Sequence, residues 1–382
     1  MHKIKVCHLT SVHNRNDTRI FMKQCRSLAN HGYEVALVVA DGKGDESNDG
    51  VAIHDVGKPE NRIRRMAFFT KRVLHKALEI DAEVYQLHDP ELIPAGLKLK
   101  GKGKKVIFDS HEDVPKQLFS KPYLNRPVRW IISKMFGLYE TRTCIRFDAI
   151  IAATPTIREK FLLINDNTID INNFPFLEEL VDSSTDWSFK KSQVCYIGGL
   201  SEIRGIRELV MAMPKVTGSV RLVIGGSFSE SAFEREIKSL PAWNRVDELG
   251  FLDRPAVKNV LSESLAGLVV LHPIMNYLDS LPVKMFEYMS AGIPVIASNF
   301  PLWRTIVETN NCGICVDPLD PGEIAAAIDY IAYHRPEARE MGQNGRKAVE
   351  NLFNWNNEER KLIGLYNNVI NKAVKSTSVK IQ

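Results

Sequence analysis

The stretch "DSLPVKMFEYMSAGIPVIAS", residues 279–298, contains two carboxylates eight residues apart at the start of a helix-forming apolar run. The N-terminus of a helix presents backbone N–H groups and a partial positive charge, which suits a phosphate group. Ser280, Lys284 and Glu287 share one helical face, and Glu287 can accept hydrogen bonds from two vicinal hydroxyls such as those of a ribose. Alternatively, Lys284 and Glu287 form a simple surface ion pair. Taken alone, the stretch leaves both interpretations open.

The residues around this helix also predict its ends. Pro282 suits the first turn, and Asp279 or Ser280 is placed to cap it. Gly292 is expected to end the helix before a strand at "PVIAS". Met285, Phe286 and Met289 form the opposite, apolar face.

Two strand-and-turn segments could approach a phosphate closely. "YIGGLSEIRG", residues 196–205, predicts a strand, a turn at Gly198 and Gly199, and Arg204 at the start of the next helix. Glycine lets a backbone come close to a ligand, and arginine binds phosphate with two parallel N–H groups. "VIGGSF", which contains Gly226, repeats the strand and turn. The sequence has neither GxxxxGK[ST] nor GxGxxG, so neither a P-loop NTPase nor a dehydrogenase is indicated.

With these segments together, the second half of the chain resembles the family 4 retaining glycosyltransferases, which have the GT-B architecture. Their E-x7-E motif is matched by Asp279-x7-Glu287, followed by "YMSAGIPVIAS". The resemblance implies that Glu287 holds the ribose of a nucleotide-sugar donor and that Asp279 contacts the sugar. It places Ser280 and Leu281 beside the diphosphate. The same resemblance covers nearly the whole chain.

The chain departs from the family pattern at two points. Asp279 is one methylene shorter than the usual glutamate, which bears on the sugar contact. The family often has G-R-L-x-x-x-K-G after the first strand of this domain, and here Gly199 stands in the place of the arginine and Arg204 in that of the lysine. One of the two phosphate-binding cations of the family is therefore either missing here or supplied by another residue, for which Lys284 is the candidate.

In the first half of the chain, polar residues again follow predicted strands. His111 in "FDSHEDVP" resembles the histidine that these transferases present to the reactive sugar, and a satisfied histidine at a strand end is the alternative. The loop "SVHNRNDTRI", residues 11–20, lies where the family places a loop that faces the acceptor. His13, Asp17 and Arg19 are candidate acceptor contacts, although each could instead be a helix cap or a surface ion pair.

Two groups of residues have side chains that could bind a metal ion. The first group, His88, Asp89, His111, Glu112 and Asp113, suggests a metal-dependent hydrolase. The helix-like or paired spacing of the ligands in such sites is absent, however. "CGIC", residues 312–315, has metal or redox spacing but lacks a second cysteine pair. We therefore expect no metal and no other cofactor, with the nucleotide-sugar as a substrate.

Strands rich in β-branched residues alternate with helical segments through both halves, which predicts two doubly wound, Rossmann-like parallel-sheet α/β domains facing a central cleft. We expect an acceptor-binding domain at 1–175, a linker at 176–189 and a donor-binding domain at 190–359. The C-terminal helix, about 360–382, is expected to cross back to the first domain. In open α/β sheets, ligands bind at the carboxyl ends of the strands, where the candidate residues lie.

Composition and charge limit the compartment and the partners. The chain has 382 residues, a net charge of +4, six cysteines of which four are scattered among apolar neighbours, and no N-terminal apolar segment, which predicts a cytoplasmic protein. Basic and apolar residues are mixed in 61–76 and 125–146, which suits contact with anionic lipid at the cytoplasmic face of the inner membrane. An amphipathic helix packed on a sheet with a basic solvated face is the alternative. No nucleic-acid partner is expected.

The resulting hypothesis is a retaining, metal-independent glycosyltransferase that moves a sugar from a nucleotide diphosphate, with UDP favoured, to a saccharide acceptor. The resemblance favours a lipid-linked acceptor in surface polysaccharide or glycan biosynthesis. Nucleotide-sugar epimerases and glycogen-type phosphorylases share the two-domain form, but we place neither the extra acid/base carboxylates of the former nor the pyridoxal lysine of the latter. A non-catalytic partner subunit that binds a nucleotide-sugar is the rival of a different class, supported by Asp279 and Gly199.

Overall fold

A computed structural model describes residues 3–119, 125–180 and 187–378. The chain divides into two compact units, Met1–Asn173 with Asn357–Gln382, and Phe174–Asn356. The predicted linker at 176–189 lies partly outside the described residues, and its described ends belong to the second unit. There Leu180 and Trp187 are buried in apolar clusters.

The first unit contains a mixed sheet whose described strands number eight, in the order β3-β4-β2-β1-β5-β6-β7-β8. All neighbouring strands are parallel except the pair β3 and β4. The strands are β1 (Lys5–Leu9), β2 (Glu34–Val39), β3 (Glu46–Asn48), β4 (Val51–Asp55), β5 (Val84–Leu87), β6 (Lys105–Ser110), β7 (Ala149–Ala152) and β8 (Thr168–Asp170).

Helices connect these strands. They are α1 (Arg26–Asn30), α2 (Arg62–Arg64), α3 (Thr70–Ile80), α4 (Ile93–Gly101), α5 (Val114–Phe119), α6 (Arg126–Cys144) and α7 (Pro155–Leu162). Two π-helical segments, Thr18–Cys25 and Arg65–Phe69, run directly into α1 and α3, and Pro90–Leu92 is a 3₁₀ turn. Both strands of the β3–β4 hairpin and the three-residue strand β8 were missed by the sequence analysis.

Residues that alternate along the central strands face opposite sides of this sheet. Cys7, Leu9, Tyr85 and Phe108 belong to one apolar cluster together with residues of α3 and α4. The positions between them carry polar residues, namely His8, Gln86 and Asp109, and all three are completely buried. This face of the sheet therefore carries one buried polar side chain in each of three neighbouring strands, in addition to the residues that pack it.

The second unit contains a parallel sheet whose described strands are ordered β11-β10-β9-β12-β13-β14. They are β9 (Gln193–Ile197), β10 (Arg221–Gly225), β11 (Val246–Gly250), β12 (Gly267–Val269), β13 (Val295–Ser298) and β14 (Gly313–Val316). Strand order reverses between β9 and β12, as it does between β1 and β5 in the first unit. Such a switch point opens a crevice at the carboxyl ends of the strands.

The helices of the second unit are α8 (Ile206–Ala212), α9 (Ser231–Lys238), α10 (Arg254–Glu263), α11 (Met275–Leu278), α12 (Val283–Ser290), α13 (Pro301–Thr309), α14 (Pro321–Tyr333) and α15 (Arg335–Asn351). The 3₁₀ turns are Trp187–Phe189, Glu202–Arg204, Met213–Lys215 and Pro241–Arg245. The two apolar clusters of this unit contain alternate residues of the same strands, so both faces of the sheet are covered.

A long helix, α16 (Trp355–Ser378), ends the described chain and returns to the first unit. Leu362, Leu365, Tyr366 and Val369 are buried, and Tyr366 hydrogen-bonds to Gln86 of β5. The two α/β sheets, parallel except for the β3–β4 pair, and this returning helix confirm the predicted fold class. Among the helices of the described part, none combines the length and the apolarity needed to cross a bilayer.

Candidate active site

The turn that follows β9 is shaped by glycine. Gly198 has φ +136°, a conformation that side-chain-bearing residues rarely adopt, and its N–H donates to the Gly225 carbonyl at 2.8 Å. A Cβ atom on Gly198 would lie 2.8 Å from Nζ of Lys284, and one on Gly199 would lie 3.1 Å from Nη1 of Arg204. The absence of side chains at both positions leaves room for two cationic groups above the turn.

Lys284 and Arg204 are the cations that occupy this position. Lys284 extends from the first turn of α12, and its Nζ lies 3.6 Å from the ring centroid of Tyr196. Among the described residues the buried Nζ has no hydrogen-bond partner. Arg204 lies in the 3₁₀ turn after β9 and donates to the Gly199 carbonyl at 3.3 Å. Burial, with a further contribution from the Arg204 charge, lowers the pKa of Lys284 well below its ordinary value.

Such a pair of cations suits an anion. A buried ammonium without a hydrogen bond destabilises the free protein, and a neighbouring guanidinium adds repulsion. An anion bound between them would remove both penalties and would receive charge-assisted hydrogen bonds. The structure therefore brings Lys284 and Arg204, the two predicted phosphate-binding residues, together above the Gly198–Gly199 turn.

Glu287 lies on the second turn of α12 and its ion-pair partner is a residue that sequence reasoning missed. Nη1 of Arg254, at the start of α10, lies 2.8 Å from Oε1 of Glu287, and Nε of Arg254 lies 2.6 Å from Oε1 of Glu179. The alternative of a simple Lys284–Glu287 surface pair is therefore wrong. The segment "GFLDRP", which follows a strand, carried a local signal: Asp253 caps α10, and Arg254 is the first residue of that helix. Its contact with Glu287 depends on how β11 and α12 pack, which no local pattern reveals.

The residues just before α12 do not act as the predicted cap. The N-cap position is Pro282, and no side chain accepts a hydrogen bond there. Ser280 instead belongs to the preceding turn, where its N–H and its hydroxyl both donate to the Tyr277 carbonyl. Its own carbonyl accepts from the Trp303 indole at 2.7 Å. The cap prediction was thus wrong, and the Ser280 amide is already used within the protein.

Three further residues were predicted to belong to the donor site, namely Asp279, Leu281 and Gly226. Asp279 follows the last residue of α11, and Leu281 packs against an apolar cluster of the second unit. Gly226 has φ +146°, and any Cβ there would overlap the Gly198 carbonyl oxygen. Since its N–H donates to the Gly250 carbonyl at 2.7 Å, Gly226 shapes the turn and does not offer its amide to a phosphate.

In the first unit, several side chains contact the carboxylate of Asp109, near the end of β6. The sequence analysis did not identify this residue. Arg19 donates to both of its carboxylate oxygens, at 3.1 and 2.6 Å, and to the Ile171 carbonyl at 2.6 Å. Arg19 is 5% exposed. Its guanidinium is thus committed to holding β6 and the residues after β8, and the prediction that Arg19 contacts an acceptor is corrected to a structural role.

His111 follows β6 directly and also contacts Asp109, with Nε2 3.3 Å from Oδ2. His88, just after β5, places its Nδ1 3.2 Å from the same oxygen and 3.4 Å from Nε2 of His111. Burial alone would raise the pKa of Asp109, but the Arg19 charge and the two histidines hold it well below its usual range. Burial lowers the pKa of His88, which favours the neutral imidazole.

The predicted acceptor loop folds against this group. Asp17 caps the π-helical segment by accepting from the N–H groups of Arg19 and Ile20, so the cap alternative is confirmed for it. His13 pairs with Asp17 at 3.2 Å and approaches Asp89 at 3.6 Å. Burial alone would lower the pKa of His13, but these carboxylates outweigh it and raise the pKa. The rings of His13 and His111 meet edge to face, 5.0 Å apart.

Two family models match this chain. Residues 181–348 match "Glycosyl transferases group 1", and residues 18–166 match "Glycosyltransferase Family 4". Between them the two segments cover most of the chain.

Curated relatives match over part of their length. An uncharacterized glycosyltransferase, MJ1607, from Methanocaldococcus jannaschii is 26% identical over 179 residues, which are 46% of this chain and 45% of that protein. An MMP alpha-(1->4)-mannosyltransferase from Mycolicibacterium hassiacum is 26% identical over 34% of this chain and 33% of its own length. This chain thus spans less than half the length of either relative.

Solved structures share the fold over nearly the whole chain. Sucrose-phosphate synthase from Thermosynechococcus elongatus has a TM-score of 0.76 and 18% identity, and the match covers 97% of this chain and 100% of that one. Anabaena Alr3699/HepE in complex with UDP has a TM-score of 0.72 and 13% identity, with coverage of 96% and 100%. With its two α/β sheets, its returning helix and both family segments, the chain belongs to the family 4 glycosyltransferases of GT-B architecture.

Proposed function

We propose that the chain is a retaining glycosyltransferase that transfers a sugar from a nucleotide-diphosphate donor, with UDP favoured, to a saccharide acceptor. The observation that carries this proposal is the buried Lys284 ammonium beside Arg204 above the Gly198–Gly199 turn. Two adjacent cations, one of which lacks a hydrogen bond among the described residues, form a site for a diphosphate.

The ribose contact rests on Glu287. Arg254 holds Oε1 of Glu287 at 2.8 Å and so fixes the orientation of the carboxylate one turn beyond Lys284. A nucleotide with its diphosphate on Lys284 and Arg204 would bring its vicinal hydroxyls toward Glu287. UDP is favoured because the Anabaena neighbour of the same fold was solved in complexes with UDP and with UDP-glucose.

In the proposed reaction, the bond between the sugar anomeric carbon and the β-phosphate oxygen breaks, and the acceptor oxygen bonds to that carbon on the same face. The acceptor proton passes to the departing phosphate. The nucleoside diphosphate gains negative charge as it leaves, and Lys284 and Arg204 would stabilise that charge. His111 would donate a hydrogen bond to the donor sugar, and Asp279 would contact the sugar hydroxyls.

A thermal-shift panel tests the donor site. UDP, GDP, ADP, TDP and CDP are compared on wild type, on Glu287→Ala and on Glu263→Ala, an exposed carboxylate of α10 that serves as the matched control. A ligand at about 100 times its Kd stabilises by roughly 2.7 kcal/mol. We expect one nucleotide, UDP, to raise Tm in wild type and the control but not in Glu287→Ala. If no nucleotide raises Tm, the donor-site assignment is wrong.

Turnover separates catalysis from binding alone. Nucleotide-sugars carrying the base selected by the panel are incubated with the protein, and release of the nucleoside diphosphate is measured with and without saccharide acceptors. Release that requires an acceptor and yields the same anomer supports the proposal. Donor binding without release under any acceptor would favour the non-catalytic partner subunit instead.

We further propose that the acceptor is lipid-linked and that α6 contacts the membrane that carries it. The residues of α6 that are buried are Ser133, Glu140, Thr143 and Cys144, whereas most of its large apolar side chains are exposed. Trp130, Ile131, Met135 and Leu138 are between 48% and 67% exposed. An amphipathic helix packed by its apolar face therefore does not describe α6.

Positive charge accompanies these apolar side chains. Arg126, Arg129, Lys134 and Arg142 lie on the same helix, and Ile63, Met66 and Phe68 are exposed on the other basic segment. Vesicle flotation tests the contact. We expect binding to vesicles with phosphatidylglycerol and less to neutral vesicles, with a loss in Trp130→Ser/Met135→Ser. Equal flotation of that variant and wild type would contradict it.

A further inference from the structure

Asp89 follows β5 at the carboxyl edge of the first sheet, where the strand order reverses. The residue is 2% exposed. A 3₁₀ turn begins directly after it, but the side chain of Asp89 does not cap that turn. Its carboxylate instead contacts the loop that follows β1, and its two oxygens differ in what they bind.

Oδ2 of Asp89 is used within the protein. It accepts hydrogen bonds from the N–H groups of Ser11 and Val12, at 2.6 and 3.2 Å, and from the Thr10 hydroxyl at 3.0 Å. The Ser11 hydroxyl lies 3.2 Å away but is nearer to Glu91, at 2.7 Å. Oδ2 therefore holds the loop after β1 in place.

Oδ1 of Asp89 accepts no hydrogen bond from the described part of the chain. The group that approaches it is Nε2 of His13, 3.6 Å away, which exceeds the usual range of a hydrogen bond. A buried acceptor without a donor is unfavourable, so Oδ1 is suited to a ligand that donates. The side chains of His13 and His111 are 28% and 19% exposed, so accessible groups lie beside this oxygen.

His13 presents the complementary group. Its Nδ1 lies 3.2 Å from Oδ2 of Asp17, which orients the ring with Nε2 toward Asp89. The raised pKa of His13 favours the imidazolium, in which Nε2 carries a proton. A hydrogen-bond donor of His13 and an acceptor of Asp89 therefore lie side by side.

Adjacent hydroxyl groups of a saccharide match this pair of atoms. One hydroxyl can donate to Oδ1 while its neighbour accepts from Nε2–H, since each hydroxyl is both a donor and an acceptor. We propose that Asp89 and His13 bind a vicinal diol of the acceptor saccharide. This inference rests on the proposed function, because it takes the bound saccharide to be the acceptor.

The charges around the pair favour neutral hydroxyls over an anionic group. Arg19 is committed to Asp109 and does not compensate the other carboxylates. Asp17 and Asp89 together leave one negative charge in excess of the His13 imidazolium. A phosphate or carboxylate would be repelled there, so the phosphate of a lipid-linked acceptor must lie elsewhere.

The diol site adjoins the residue assigned to the donor sugar. The rings of His13 and His111 meet edge to face, with centroids 5.0 Å apart. A saccharide on Asp89 and His13 would therefore lie next to His111. Transfer between two sugars requires this adjacency of the reacting groups.

Binding of simple glycosides tests the site without turnover. The full chain, labelled with ¹⁵N-histidine, is titrated with the methyl α-glycosides of glucose, mannose and galactose, and the His13 signals are followed by NMR. We expect a glycoside to shift these signals in wild type and its Kd to rise about tenfold or more in Asp89→Asn. Asp166→Asn changes an exposed carboxylate of the same unit and should bind like wild type.

Asp89→Asn separates the two oxygens. The amide oxygen can keep the hydrogen bonds of Oδ2, while the amide nitrogen replaces Oδ1 by a donor. We therefore expect the fold to be retained, as judged by circular dichroism. The Kd of UDP, measured by calorimetry, should be the same as in wild type.

A deoxy sugar tests the diol itself. The 3-deoxy analogue of the glycoside that binds keeps its other hydroxyls but has no vicinal pair. Wild type should bind this analogue about tenfold or more weakly than the parent glycoside. Asp89→Asn should bind the two with similar affinity.

Four outcomes would overturn the inference. These are no shift of the His13 signals with any glycoside, the same Kd in Asp89→Asn and wild type, equal binding of the 3-deoxy analogue by wild type, or a parallel loss of UDP affinity in Asp89→Asn. The last would show that the variant damages the fold. UDP binding by wild type reports on the donor site alone, so failure of the proposed function and failure of this site are distinguished.

Discussion

Lys284 and Arg204 come from different elements of the second unit, and both end above the Gly198–Gly199 turn. Nζ of Lys284 lies 2.8 Å, and Nη1 of Arg204 lies 3.7 Å, from the point at which Gly198 would carry a Cβ atom. A glycine with φ +136° is required there by backbone geometry and by the space that the two cations take. The free protein thus holds positive charge in a place where it is unfavourable.

Replacing Lys284 should therefore improve stability and impair binding. Lys284→Met keeps the length of the side chain but removes an ammonium that is buried without a hydrogen bond. We expect the free energy of unfolding to rise by about 1 kcal/mol and UDP affinity to fall at least about tenfold. Urea unfolding and calorimetric titration measure the two effects. Lys215→Met, at an exposed position, should change neither, and a destabilised Lys284→Met would contradict the argument.

Donor binding should take up a proton through the same residue. The pKa of Lys284 is lowered by burial in the free protein, and a bound diphosphate would raise it again. Between those two pKa values the complex holds more protons than the free protein, so donor affinity should fall as pH rises. Titration of UDP-glucose in buffers of different ionisation enthalpy should show proton uptake in wild type. Persistent uptake in Lys284→Met would assign the proton elsewhere.

The ribose contact of Glu287 can be isolated with a deoxynucleotide. Hydrogen bonds to a charged group contribute about 1.5–3 kcal/mol, so wild type should prefer UDP over 2′-deoxy-UDP by roughly tenfold or more. Glu287→Gln should lose most of that preference. Glu179→Gln removes the other carboxylate that contacts Arg254 and is the matched control, in which we expect the preference to remain. Equal preference in all three proteins would remove Glu287 from the ribose site.

Arg19 should behave as a residue of the fold. Its guanidinium binds both oxygens of the buried Asp109 and the Ile171 carbonyl. Arg19→Gln leaves a buried carboxylate without its cation, and we expect a loss of about 3–5 kcal/mol in the free energy of unfolding. Arg64→Gln, which removes an exposed ion pair with Glu60, should cost less than about 1 kcal/mol. A small effect of Arg19→Gln on stability would reopen its assignment to the acceptor.

The sequence was sufficient for the two-sheet architecture because nearly continuous apolar strands alternate with helical segments. It was insufficient for β3 and β8, which are three residues long and carry no clear alternation. At the site, Lys284 and Arg204 were identified from glycine turns and the helix motif. Asp109 and Arg254 were not, because their partners are distant in the chain. Asp109 lies 90 residues from Arg19, and Arg254 lies 33 residues from Glu287.

The sequence does contain a signal for the buried polar residues His8, Gln86 and Asp109. "VCHL", "VYQL" and "VIFD" each place one hydrogen-bonding residue, His8, Gln86 and Asp109 respectively, among apolar neighbours. These strands are neighbours in the sheet, so the three positions fall on the same face. The contact between Gln86 and Tyr366 of α16, in contrast, joins residues 280 positions apart in the chain and is visible only in three dimensions.

The return of α16 has a consequence for the order in which the protein folds during synthesis. The second unit is complete once residue 356 has been made, whereas the first unit still lacks Glu358, Leu362 and Tyr366. The Asn172 amide and the Gln86 side chain have their hydrogen-bond partners, Glu358 and Tyr366, in α16. On the ribosome, the unit that is synthesised first is therefore completed only after the second unit has been made, and its β-sheet lacks these partners until then.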